Sequence, residues 1–262
     1  MRWALSLALL VACDGGAASS QGARSAQGPE HVGETDGLRT FGELRARVIG
    51  EGDRLVVVLL HGYGAAGDDL VGLAERIDAP AGTRFVLPEA PLELGGSGRA
   101  WWPLDVDRLR FGEDRDLSDE IPPGLESARR KVTALLGEVQ RRLGVPSSRI
   151  VLAGFSQGAM LALDVALHLE DPVAGVAALS GTLVADARWS PLMRARQGQL
   201  RVLVTHGRSD GILPFAMAER LRDRLEDSGV EVTWVAFDGG HTIPSDAVVA
   251  FERFLRDAAR GP

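Results

Sequence analysis

The chain has 262 residues, 45% of them hydrophobic and 25% charged, with a formal net charge of −7 and a pI of about 5.3. That length suits one sizeable domain, since domains commonly span about 100–200 residues, and the apolar fraction excludes wholesale disorder. The acidic balance argues against a nucleic-acid binder, which carries a basic patch and a high pI, and no apolar run reaches the roughly 18 residues that span a bilayer. Cys13 is the sole cysteine. An intrachain disulfide, a Cys-based zinc site and a cysteine nucleophile in the folded part are therefore excluded.

Residues 1–12 place one cation, Arg2, before a short apolar stretch, the pattern of a signal peptide. The stretch ends Leu10-Val11-Ala12-Cys13, which resembles the lipobox of bacterial lipoproteins. That resemblance implies cleavage before Cys13, its lipidation, and an exported protein held at the cell envelope by its acyl chains. Residues 13–36, rich in Gly, Ala, Ser and Gln, read as a flexible tether that includes His31. The folded domain is expected over 37–262.

From about residue 38 the pattern alternates, with Leu44, Ala46 and Val48 set against Glu43, Arg45 and Arg47, which predicts a half-buried antiparallel strand. Leu55–Leu60 is apolar throughout, as in a strand covered on both faces. It ends in the turn His61-Gly62-Tyr63-Gly64. Leu70, Leu73 and Ile77 give helical spacing to 68–77, and Phe85–Pro88 is a short buried strand. Residues 89–119 read as irregular and include the pair Trp101-Trp102. A long amphipathic helix is predicted over 122–143, ended by Gly144-Val145-Pro146. Then come a strand at 150–153, a helix from 157 to about 169, and strands at 173–179 and 200–205. Helix 215–227, strand 230–237 and helix 243–259 complete the chain. Strands alternating with helices after one antiparallel start predict an α/β domain, a mostly parallel sheet with helices on both faces.

Gly154-Phe155-Ser156-Gln157-Gly158 sits between a predicted strand and a predicted helix. This is the context of a nucleophile elbow, a sharp turn in which glycines two residues either side of the serine avoid a clash. A serine hydroxyl needs a base, and the base an orienting acid. Of the five histidines, His31 is in the tether, His168 lies too far along its helix, and His61 and His206 end strands as turn supports. His241 remains, directly after the last strand. Asp210, after the next-to-last strand, is the preferred acid, with Asp238 and Asp186 as rivals. An oxyanion site needs two aimed backbone N–H groups, expected from Gln157 and, in the glycine-bearing turn, Tyr63.

Together with Leu87-Pro88-Glu89-Ala90-Pro91, Gly98-Arg99-Ala100-Trp101-Trp102, Ala178-Leu179-Ser180-Gly181, His206-Gly207 and Gly240-His241, these blocks resemble the phospholipase/carboxylesterase family of α/β-hydrolases, related to acyl-protein thioesterases. The resemblance spans about Leu55 to Leu255. It implies the α/β-hydrolase fold, a monomer or homodimer, and a serine esterase that acts on small to medium esters or thioesters without cofactor or metal. It also implies that Trp101 and Trp102 lie near the substrate cleft. Two features depart from the family: the export leader, and Ala65-Ala66-Gly67-Asp68 after the turn. A polyester depolymerase, a feruloyl-type esterase or a peptidase on the same fold, or a non-catalytic ligand-binding lipoprotein, stays open beside this reading.

Overall fold

A computed structural model describes residues 37–112 and 115–261. The expected signal peptide, the Cys13 lipidation site, the tether and His31 lie outside the described residues. The chain begins with a hairpin, β1 (Leu38–Phe41) and β2 (Leu44–Ile49). It continues through β3 (Leu55–Leu60), α1 (Val71–Arg76), β4 (Thr83–Pro88), the two-residue strands β5 (Leu92–Glu93) and β6 (Arg99–Ala100), and α2 (Val106–Phe111). Then follow α3 (Leu125–Leu143), β7 (Ile150–Phe155), α4 (Gln157–His168), β8 (Gly175–Leu179) and α5 (Asp186–Ala195). The last elements are β9 (Arg201–Gly207), α6 (Phe215–Asp227), β10 (Glu231–Phe237) and α7 (Ser245–Ala258).

Eight strands form one sheet in the order β1-β2-β4-β3-β7-β8-β9-β10. The β1–β2 and β2–β4 pairs are antiparallel, and every pair from β4 to β10 is parallel. This is the mostly parallel sheet that the strand–helix alternation predicts, in keeping with the α/β-hydrolase fold that the resemblance implies. The unbroken apolar run of β3 has a direct cause. Val56, Val58 and Leu60 pack into one core with α3, α4, α5 and α6, whereas Leu55, Val57 and Leu59 pack into the other with α1 and α7. Successive side chains of a strand point to opposite faces, so a strand covered on both sides must be apolar at every position.

Several boundaries differ from expectation. The strand expected after residue 38 is a two-strand hairpin that turns at Gly42, whose φ is +59°. Helix α1 starts at Val71 rather than at residue 68, because Val71 N–H closes a turn on Asp68 O and leaves both aspartates in the loop. Helix α3 starts at Leu125, not 122, since Gly124 has φ +93° and cannot continue a right-handed helix. Residues 89–119 are not wholly irregular. They contain β5, β6 and α2, the last capped by Asp105 Oδ1 accepting from Arg108 N–H at 2.9 Å. Helix α5 was not expected at all.

A buried carboxylate ties three of the helices together. Asp164 on α4 is 1% exposed. Its Oδ2 lies 3.0 Å from Arg129 Nη1 of α3, and its Oδ1 accepts from Trp189 Nε1 of α5 at 2.8 Å. Asp164→Ala leaves the half-buried Arg129 guanidinium without its counter-charge, a loss worth about 3–5 kcal/mol where an ion pair is buried. At about 2–4 °C per kcal/mol for a domain of this size, calorimetry is expected to find Tm lowered by roughly 6–20 °C. An unchanged Tm would mean that the network contributes no stability.

Candidate active site

Strand register brings the expected residues to one edge of the sheet. Leu60 pairs with Gly154, Phe155 with Leu179, Leu179 with Thr205, and Gly207 with Phe237. The loops that follow β3, β7, β8, β9 and β10 therefore leave the same carboxyl edge, where ligands bind in open α/β sheets. They carry His61, Ser156, Ser180, Asp210 and His241 respectively.

Ser156 is the single residue between β7 and α4, with φ 53° and ψ −117°. A non-glycine residue held there is strained by about 1–3 kcal/mol. The two glycines are what the turn requires. A Cβ on Gly154 would lie 2.3 Å from the Gly158 carbonyl, and one on Gly158 would lie 2.2 Å from Leu60 O and 2.6 Å from His61 O. The serine thus sits at the N-terminus of a buried twelve-residue helix, where the dipole and free N–H groups favour negative charge.

His241 follows β10. Its ring lies 4.8 Å from that of Phe155, the neighbour of Ser156. Its Nδ1 lies 2.7 Å from Asp210 Oδ2. The Asp210 side chain is fully buried, whereas that of His241 is 17% exposed. Asp210 Oδ1 accepts the N–H groups of Ile212 and Leu213 at 2.8 and 2.9 Å. Burial opposes ionisation of Asp210. Hydrogen bonds from His206 and His241, the charge on His241, and the Leu213 N–H outweigh it, and hold the carboxyl far below its ordinary range. The rivals stand elsewhere: Asp238 is exposed and faces Arg208, and Asp186 binds Ser190 and Arg224 on α5 and α6.

The turn after β3 passes directly over the serine: a Cβ on Gly62 would lie 3.5 Å from Ser156 Cβ and 3.1 Å from the Phe155 ring. Gly64 N–H bonds Arg99 O, and Ala65 N–H bonds Gly62 O. Tyr63 N–H, beside them, has no partner among the described residues. Gln157 N–H is the first of α4 and so has no intrahelical acceptor. The Gln157 side chain is fully buried and braces the site, accepting from Trp101 N–H at 2.9 Å and donating to Trp102 O at 2.8 Å. Both tryptophans are buried in the core rather than exposed in a cleft wall. Trp101 acts on the turn from beneath, donating Nε1–H to His61 O at 2.9 Å. Sequence reasoning missed this brace because a buried glutamine is marked only by its hydrogen bonds, not by its spacing.

Of the other described histidines, His168 lies at the end of α4 and His206 near the end of β9. His168 caps its own helix, with Nδ1 2.7 Å from Asp164 O. His206 is buried beside Asp210. Among the described residues, no group of three or more His, Cys, Asp or Glu side chains is placed to hold a metal ion, and no helix is long and apolar enough to cross a membrane. A groove of about 240 Å³ lined by Arg201, Glu231 and Arg253 lies at the opposite, amino-terminal edge of the sheet, remote from Ser156.

The phospholipase/carboxylesterase family model matches residues 49–258. Acyl-protein thioesterase 1 of Mycosarcoma maydis is 33% identical over 219 residues, covering 76% of this chain and 86% of that one. The Gibberella zeae protein of the same name is 26% identical over 211 residues, covering 76% and 88%. Among solved structures, esterase PE8 superposes with a TM-score of 0.71 at 33% identity, covering 82% of this chain and 99% of its own. The Bacillus cereus carboxylesterase, at 22% identity and a TM-score of 0.64, shares the fold over 82% of this chain and 94% of its own.

His61 makes the turn pH-sensitive. Its Nδ1 lies 2.8 Å from Gly62 O and its Nε2 accepts Ala90 N–H at 3.0 Å, so the ring is neutral. Burial, with help from the Arg99 charge, lowers its pKa below the ordinary 6.5 against the Gly62 bond and nearby carboxylates. Below about pH 6.5 the unfolded chain takes up a proton that the folded chain resists. This contribution to stability is therefore complete above that pH and lost as pH falls through it. His61→Gln can still accept from Ala90 but does not titrate. Urea midpoints at about pH 7.5 and 5 are expected to fall less in this variant than in the unaltered protein; equal falls would remove His61 from the account.

Proposed function

The chain belongs to the phospholipase/carboxylesterase family and is a serine hydrolase acting on ester bonds, and from that premise we propose that it is a carboxylesterase working through Ser156, His241 and Asp210. The observation that carries this reading is the 2.7 Å contact between His241 Nδ1 and buried Asp210 Oδ2, at the sheet edge that also carries Ser156 at φ 53° and with the His241 ring 4.8 Å from that of Phe155. With Nδ1–H committed to Asp210, His241 Nε2 is left as the base. It takes the Ser156 hydroxyl proton as Oγ attacks the ester carbonyl, and the Tyr63 and Gln157 N–H groups receive the oxyanion. As the carbon–oxygen bond breaks, His241 passes that proton to the departing alcohol. Water then attacks the acyl-serine, giving one proton to His241. Ser156 recovers it as the acid leaves.

The substrates are small to medium carboxylic esters, with lysophospholipids and thioesters in the same chemical range. The acyl-protein thioesterase relatives support the thioester arm, since attack on either ester type places a tetrahedral oxyanion at the same site. The Leu10–Cys13 segment supports an enzyme lipid-anchored at the cell envelope, which favours oxoesters outside the cytosol over acylated cytosolic proteins.

Two measurements test the reading. On p-nitrophenyl esters from acetate to palmitate, Ser156→Ala is expected to lower kcat by about 10⁶-fold and Asp210→Asn by about 10⁴-fold. Near-normal turnover by Ser156→Ala would sink the mechanism, and the chain-length optimum sizes the acyl site. Separately, Cys13→Ala is expected to move the protein from the membrane fraction to the soluble one; retention on the membrane would refute the lipid anchor.

A further inference from the structure

His206 ends β9 one residue before Gly207, and its ring is fully buried. Its Nε2 lies 2.9 Å from Leu213 O and 3.2 Å from Asp210 Oδ2. Both neighbours are acceptors, which assigns the ring hydrogen to Nε2. The other nitrogen, Nδ1, is buried with no partner. A second proton there would be an unpaired donor away from water, a costly arrangement.

The Nε2 hydrogen completes the shell of the acid. An ionised carboxylate offers about four acceptor positions. Ile212 and Leu213 N–H fill those of Oδ1, His241 Nδ1–H takes one on Oδ2, and His206 Nε2, whose one hydrogen is shared with the nearer Leu213 O, lies 3.2 Å from the last. The Leu213 peptide links the two histidine contacts, since its N–H holds Oδ1 while its carbonyl holds His206.

We propose that His206 is a positioning residue for the hydrolytic reaction, which rests on the reading above: its Nε2–H fixes the plane of Asp210 and draws charge from Oδ2, so that the proton stays on His241. Without that donor Oδ2 becomes the stronger base toward His241 Nδ1–H, and the imidazolium holds its proton to higher pH. The charged and titratable groups nearest this cluster are few. Arg208 lies over the Phe215 ring and faces exposed Asp238, and Arg115 donates to Gly211 O. None of them forms an ion pair with Asp210 or His241.

The test compares His206→Leu, which removes the donor, with His206→Gln, whose amide N–H can occupy the Nε2 position, in the full-length chain. His206→Leu is expected to lower kcat by about 10- to 100-fold with KM little changed, and to move the acid limb of kcat/KM upward by about half a unit to one unit. His206→Gln is expected to restore most of both. His206→Asn falls short of Asp210 and serves if the leucine variant does not fold. The second readout needs no turnover: the low-field proton resonance of His241 Nδ1–H shifts in Leu or Asn and returns in Gln. Wild-type kinetics, or a uniform loss of activity with the pH limb and resonance unmoved, would overturn the proposal. If Ser156→Ala retained activity while the resonance still responded, the esterase mechanism would fail and the His206 contact would stand.

Discussion

The site depends first on one close approach of backbone to backbone. The α-carbon of Gly158, on the first turn of α4, lies so near the end of β3 that a single added carbon would sit 2.2 Å from Leu60 O. This lets a helix that opens on a strained serine press against the neighbouring strand. The chain leaving that strand has nowhere to go but over Ser156, and Gly62 permits the crossing at van der Waals distance. The placement of Ser156, of the turn above it and of the Gln157 N–H thus shares one steric constraint. The Trp101 and Gln157 hydrogen bonds hold what the constraint has placed.

Strain at such a site needs surroundings that cannot relax. Helix α4 is buried along its whole length up to Leu167, and β7 on its other side is covered on both faces. A residue at φ 53° persists because returning it to an ordinary conformation would disturb both cores at once. Ser180, at φ 51°, occupies the corresponding place after β8, and its hydroxyl donates to Thr242 O at 3.0 Å. That bond anchors the residue next to His241. The loop that carries His241 is therefore tied to β8, the strand beside β7, and not only to its own.

Much of this was legible because the relevant physics is local. The need for glycine two positions either side of a strained serine is a backbone clash. The order of Ser156, Asp210 and His241 follows from which strand each one ends. What escaped was nonlocal. Helix α5 carries Pro191 and buries only Trp189 and Met193, so its pattern does not separate it from loop. Strand β1 is an edge strand with Arg39 and Thr40 exposed and no apolar run to mark it. The resemblance implies that Trp101 and Trp102 lie near a substrate cleft, yet both are buried and bonded to a glutamine 56 and 55 residues further along the chain. His206 is recognisable as a turn residue, but sequence does not tell which acceptor its Nε2 meets.

The two buried aspartates separate what holds the fold from what equips the site. Asp164 faces a guanidinium, so its charge is largely cancelled where it stands and its work ends with binding α3 to α4 and α5. Among the described residues, no Arg or Lys forms an ion pair with Asp210. Its charge is stabilised by N–H dipoles and two imidazoles instead. Dipoles lower the cost of burying a charge without neutralising it, so its field still acts on His241, whose Nδ1 lies 2.7 Å away. An arginine at position 206 would stabilise the same carboxylate at least as well, but it would spend on a fixed cation the attraction that a base needs only when it becomes an imidazolium. In the proposed mechanism the neutral donor there serves proton transfer rather than folding.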